Sequence, residues 1–168
     1  LEELADLVEN IDTARDLYKI EGVSVLKNVI ESSIASQSST SGPTGSYRLA
    51  GLAVRVLGRA CQNHPQVQTW WLESGLVSDF IAVMNVHTSS STTPASLDMF
   101  CCSEAVTAVS HLIRGCPKAV VSFFDTNGLH ALMNIMSQVR LSLSYSHAIY
   151  ILRAAFFRCC NCTIETDF

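Results

Sequence analysis

The sequence predicts an all-α protein, a right-handed α-solenoid of about three stacked three-helix units preceded by part of another. Three observations predict it. Gly22, Gly75 and Gly128 stand 53 residues apart, and a fixed period of this size marks stacked supersecondary units. Two large apolar residues precede each glycine at the same distance: Leu17-Tyr18, Trp70-Trp71 and Phe123-Phe124. Apolar positions then recur after it: Val23, Val29 and Ile30; Leu76, Ala82 and Val83; Leu129, Ile135 and Met136.

The opening stretch from Leu1 to Ile11, apolar at Leu4, Leu7, Val8 and Ile11, reads as the last helix of a truncated unit, residues 1–11. Three complete units follow at about 12–63, 64–116 and 117–161. Each begins with a short helix. Asp12 is expected to cap the first through its carboxylate. Pro65 and Pro117 open the other two, where the missing N–H of proline costs no helical hydrogen bond. Each short helix is expected to stop at its glycine, which enters the left-handed conformation without steric penalty.

A second helix follows each glycine. In the first unit Val23, Leu26, Val29 and Ile30 fall at helical spacing. In the second, Asp79 stands where Leu26 and Leu132 stand in the others, and Phe80 is expected to supply the missing bulk. The Ser/Thr-rich stretches 32–46 and 88–96 read as flexible loops, with a shorter connector from Ser137 to Ser144.

A long third helix closes each unit. Tyr47 to Asn63 carries an apolar face of Leu49, Leu52, Ala53, Val56, Leu57 and Ala60. Leu97 to Gly115 carries Cys102, Ala105, Val106, Val109, Leu112 and Ile113. Tyr145 to Asn161 carries Ala148, Ile151, Leu152, Ala155, Phe156 and Cys159. A short, a medium and a long helix per unit is the armadillo-repeat pattern, with units of roughly 40–47 residues. The two polar loops account for the extra length, and the whole of 1–168 reads as one armadillo-repeat domain.

Composition narrows the function. Hydrophobic residues make up 48% and charged residues 15%, too apolar for a disordered chain, yet with no run long enough to span a membrane. The formal charge of −4 argues against general nucleic-acid binding. Seven cysteines show no framework spacing, and Cys61, Cys102 and Cys159 lie within apolar helical patterns. They read as buried thiols in a reducing compartment. The chain starts at Leu1 and not Met, which predicts a piece of a longer protein.

In an armadillo stack the third helices line the concave side, so their polar residues are the expected contact surface. These are Arg48, Arg55, Arg59 and Gln62; then Thr107, His111 and Arg114, with Glu104; then Tyr150, Arg153 and Phe157. The N-terminal fragment adds Glu2, Asp6 and Asn10. The expected groove is acidic at one end and basic through its middle, which favours a macromolecular partner with an acidic face. No phosphate-cradling glycine loop, nucleophile elbow or metal-binding histidine pair occurs. Cys159, Cys160 and Cys162 lack the C-x-x-C geometry of a zinc site. The expectation is a monomeric non-enzyme without metal or cofactor.

Leu1-Glu2-Glu3-Leu4-Ala5-Asp6-Leu7-Val8-Glu9-Asn10-Ile11-Asp12, with Ala14, Asp16 and Gly22 after it, closely resembles the opening of the armadillo domain in the Hsp70-binding protein family. These proteins are nucleotide exchange factors of the 70-kDa heat-shock chaperones. Gln62-Asn63, Leu72 and Gly75 continue the likeness, as do Gly128-Leu129-His130-Ala131-Leu132-Met133 and Met136. It runs from Leu1 to about Asn161. The resemblance implies a co-chaperone that grips one lobe of a DnaK-type ATPase domain in its groove, opens the nucleotide cleft and releases ADP. Weakening ADP about 100-fold would take roughly 2.7 kcal/mol of coupling. Arg55, Arg59, His111, Arg114 and Arg153 would then meet acidic chaperone surface. The family has cytoplasmic members, which unpaired thiols favour, and relatives in the endoplasmic reticulum lumen.

Two rivals remain. Armadillo nuclear-import receptors hold basic peptides on ladders of tryptophan and asparagine, but here Arg55, Arg59, Thr107, His111, Arg153 and Phe157 take those places. A basic groove repels such a peptide. A scaffold for another acidic-surfaced partner, without exchange activity, is the alternative.

Overall fold

Helix boundaries follow from where the chain can cap one hydrogen-bonded run and start the next. The computed structural model describes residues 1–35, 45–89 and 95–138, and every regular element among them is an α-helix. They are α1 (Glu2–Leu7), α2 (Ile11–Lys19), α3 (Gly22–Ala35), α4 (Gly45–Ala60), α5 (Pro65–Glu73), α6 (Leu76–Ser89), α7 (Ala95–Ile113), α8 (Pro117–Asp125) and α9 (Gly128–Gln138). The expected long helix from Tyr145 to Asn161 lies outside the described residues, and with it Tyr150, Arg153 and Phe157.

The N-terminus departs from expectation. The stretch to Ile11 is not one helix, because Asn10 takes extended backbone and its side-chain oxygen accepts from the Asp12 N–H at 2.9 Å. Asn10, not Asp12, is the cap of α2. Ala5 and Val8 consequently turn inward while Leu7 and Ile11 stay exposed. Pro65 and Pro117 do open α5 and α8.

The stops between first and second helices correct the glycine reading. The left-handed residues are Glu21, Gly75 and Asn127, with φ of 60°, 77° and 59°. Gly22 and Gly128 instead begin α3 and α9. The second unit is therefore displaced by one residue from the strict period. Its buried anchor is Trp71, matching Leu17 and Phe123. The same shift removes the anomaly at Asp79: Phe80 is the equivalent of Leu26 and Leu132, and all three are buried. At Gly22 and Gly128 a Cβ would lie 2.4 Å from Leu17 Cδ1 and 2.3 Å from the Phe123 ring. Those glycines serve close approach, not left-handed geometry.

The polar loops are shorter than their composition predicts. Helix α3 runs through Ser32 and Ser33, whose hydroxyls donate to the Val29 carbonyl at 3.1 and 2.6 Å. Back-bonding of this kind lets serine persist inside a helix. Helices α6 and α7 likewise extend to Ser89 and from Ala95; the remainder of both loops falls outside the described residues. The long helices α4 and α7 also stop earlier than expected, at Ala60 and Ile113, ahead of the left-handed Asn63 and Gly115.

One apolar core runs through the described helices, from Ala5 and Val8 to Leu132 and Ile135. Helix α4 sits in its middle, packed on α7, α3 and α1, and α6 packs on α7, α9 and α3. Small residues set the α4–α7 approach. A Cβ on Gly58 would come within 2.7 Å of Ala108 Cβ and 2.8 Å of its Cα. Leu49, expected in the core, is 45% exposed. Cys61, Cys101 and Cys102 are buried thiols outside any disulfide, and Cys116, likewise, is half-buried.

Buried polar side chains close the helix ends. The last four carbonyls of a helix lack partners within it. For α4, Trp71 Nε1 donates to Leu57 O at 2.8 Å, and His111 Nδ1 meets Gly58 O at 3.1 Å. At the end of α7, buried Gln68 donates through Nε2 to the carbonyls of His111, in its last turn, and of Arg114, just beyond it, both at 2.8 Å. Helices α5 and α7 thus lock each other and α4.

Candidate interaction surface

Helices α1, α4 and α7 lie side by side, and their solvent-facing polar residues form one continuous charged face. It is built from cross-helix ion pairs. Arg48 pairs with Glu2 at 2.9 Å, both side chains more than half exposed. Arg59 pairs with Asp6 and, at 3.1 Å, with Glu9. Arg55 crosses to α7 and donates to Glu104 at 2.7 Å.

The Arg55 site is the most constructed of these. Its guanidinium carbon stands 4.9 Å from the centre of the Phe100 ring. That ring lies close over α4 because Gly51 offers no Cβ: one there would sit 2.6 Å from it. The Arg55 and Glu104 side chains are only 27% and 16% exposed. The hydrogen bond from Arg55 to Glu104 raises the guanidinium pKa above its usual value, with the charges of Glu104, Glu2 and Asp6 adding to it and burial opposing it. A charged hydrogen bond so shielded contributes roughly 1–3 kcal/mol. The exposed Arg48–Glu2 pair contributes about 0–1 kcal/mol.

Sequence reasoning placed Arg48, Arg55 and Arg59 on one helix face, and they share it. It also placed Glu2, Asp6 and Glu104 on that surface, but not their pairing with the arginines, and it did not include Glu9. The middle of the face is not a bare cationic strip: the three arginines are matched by Glu2, Asp6, Glu9 and Glu104. The signal was present as acidic residues on α1 and α7 at the heights of the α4 arginines.

His111 is corrected outright. It occupies the inner side of α7, is 7% exposed, and spends its ring on the Gly58 carbonyl. A carbonyl only accepts, so Nδ1 carries the hydrogen. Gln62, Thr107 and Arg114 are half-buried. Gln68 and Trp71, whose polar atoms hold the helix ends, were missed because neither residue type announces such a role.

Among the described residues, no group of three His, Cys, Asp or Glu side chains is arranged to hold a metal ion. No helix among them is long and apolar enough to cross a membrane. The chain matches no protein-family model and no curated protein.

Proposed function

We propose that this chain is an armadillo-type co-chaperone that binds the ATPase domain of a 70-kDa heat-shock chaperone and promotes ADP release. The observation that carries it is the recurring order of short, medium and long helices, with α1, α4 and α7 aligned into one charged face. On this reading the helices continue as a right-handed solenoid, the face is concave, and the protein works as a cytoplasmic monomer. The likeness of Leu1 to Asp16 to the exchange factors supplies the partner.

Mechanistically, no bond need be made or broken. A rigid surface that fits the open ATPase domain better than the closed one shifts the population toward open, and nucleotide affinity falls by the same differential. The internal ion pairs preorganise the arginines, so little side-chain entropy is lost when an acidic surface docks. They also set a limit, since every new contact must compete with or share an existing carboxylate.

A protein-interaction scaffold without exchange activity is the second reading. The helix order and the charged face support it as they support the first, and the pairing of Arg48, Arg55 and Arg59 within the chain lowers the attraction to an acidic surface in either case. Stopped-flow release of fluorescent ADP from the chaperone ATPase domain separates the two. Acceleration that saturates with this protein is the expected result. Binding without acceleration supports the scaffold, and no binding removes the chaperone as partner.

A further inference from the structure

A groove of about 840 Å³, sharing no residue with the charged face, is lined by the end of α2, by α3 and by the turn after α5. Tyr18, Glu21, Ser24, Asn28 and Glu31 line one stretch of it, and Lys27 and Ser74 close it. The lysines are committed internally. Lys27 Nζ donates to the Ser74 carbonyl and pairs with Asp79 at 3.1 Å, and Lys19 pairs with Asp16 at 2.9 Å. Among the described residues, Glu21 and Glu31 form no ion pair. Lys27 is shielded in its pairing, while the Lys19–Asp16 pair is exposed and weak; with Asp16 and Asp79 counted beside Glu21 and Glu31, carboxylates outnumber the lysines at the groove. Its aromatic wall is fixed in place: Tyr18 stacks on Trp70 with ring centres 4.4 Å apart and planes 10° apart.

We propose that this groove binds an extended basic peptide segment of a partner protein. Tyr18, backed by Trp70, presents a π surface for a guanidinium or ammonium group, and Glu21, three residues on, supplies the opposite charge. Glu31 receives a second cation. Glu21 stands at the turn just before α3 and Glu31 in its C-terminal half, so the helical rise of α3 sets the two positions roughly 15 Å apart, which an extended peptide spans in four to five residues at about 3.3 Å each. Ser24 and Asn28, between the carboxylates along α3, offer a hydroxyl and an amide to the peptide backbone. The partner signature is two Lys or Arg residues four to five apart in an unstructured segment.

The test is fluorescence anisotropy of a short labelled peptide with two arginines at that spacing, alongside one with glutamates in their place. The emission of Trp70 and Trp71, both beside Tyr18, serves as a label-free second readout. Saturable binding of the arginine peptide alone is expected, weakened about tenfold or more by Glu21→Gln with Glu31→Gln. Glu3→Gln with Asp125→Asn, which removes two exposed charges elsewhere, is expected to leave binding intact. Equal binding by both proteins, equal binding of both peptides, or no saturable binding overturns the proposal.

Discussion

At the residue scale, the packing gives otherwise ordinary side chains specific duties. The Gly58 carbonyl accepts from His111 Nδ1 and from the Cys61 thiol, at 3.1 and 3.2 Å. It is available because the final turn of the helix tightens, with the Gln62 N–H donating to Arg59 O instead. Burial raises the pKa of Cys61 far above the ordinary thiol value of 9.0. In the unfolded chain that thiol ionises normally, so its share of stability is complete below pH 9 and is lost as pH rises further. The slope from this one group builds through pH 9 and approaches about 1.4 kcal/mol per pH unit at the upper end of the range. Denaturant titrations between pH 8 and 10.5 measure it, and Cys61→Ala should flatten the slope by that amount.

At the element scale, the decisive contact is the crossing of α4 and α7. Two glycines make it possible but tolerate change differently. An added Cβ at Gly51 meets the Phe100 side chain, whereas at Gly58 it meets the Ala108 backbone. Overpacking costs about 1–3 kcal/mol, against a gain near 1 kcal/mol from replacing a helical glycine. Gly58→Ala is therefore expected to destabilise the protein and Gly51→Ala to be close to neutral. Chemical denaturation of both variants checks the order, and equal effects would mean that the helices can slide apart.

The first two helix triplets, the prolines that open α5 and α8, and the arginine face of α4 were legible from spacing alone. The one-residue displacement of the second unit was not. Glu21 and Asn127 take the left-handed conformation beside a glycine that the pattern had nominated, because Gly22 and Gly128 are needed where Leu17 and Phe123 press against them. Periodicity locates an apolar stripe to within a residue or so, and it carries no record of which neighbour needs the space. The ion pairs escaped for a related reason: Glu2, Asp6 and Glu9 are distant in sequence from the arginines they meet.

At the scale of the whole molecule, a chain of net charge −4 sets Arg48, Arg55 and Arg59 of α4 on one face and matches them internally. Such a face discriminates by pattern more than by net attraction. A charge swap isolates that pattern. Glu2→Arg with Arg48→Glu keeps the exposed pair intact while inverting what a partner meets, and it is expected to leave the melting temperature unchanged. The decisive measurement is calorimetric affinity of the swapped protein for the chaperone ATPase domain beside that of the native chain. If the α1–α4–α7 face is the docking surface, affinity should fall about tenfold or more, and most at low salt. Undiminished affinity in the swapped protein would place the interface elsewhere on the molecule.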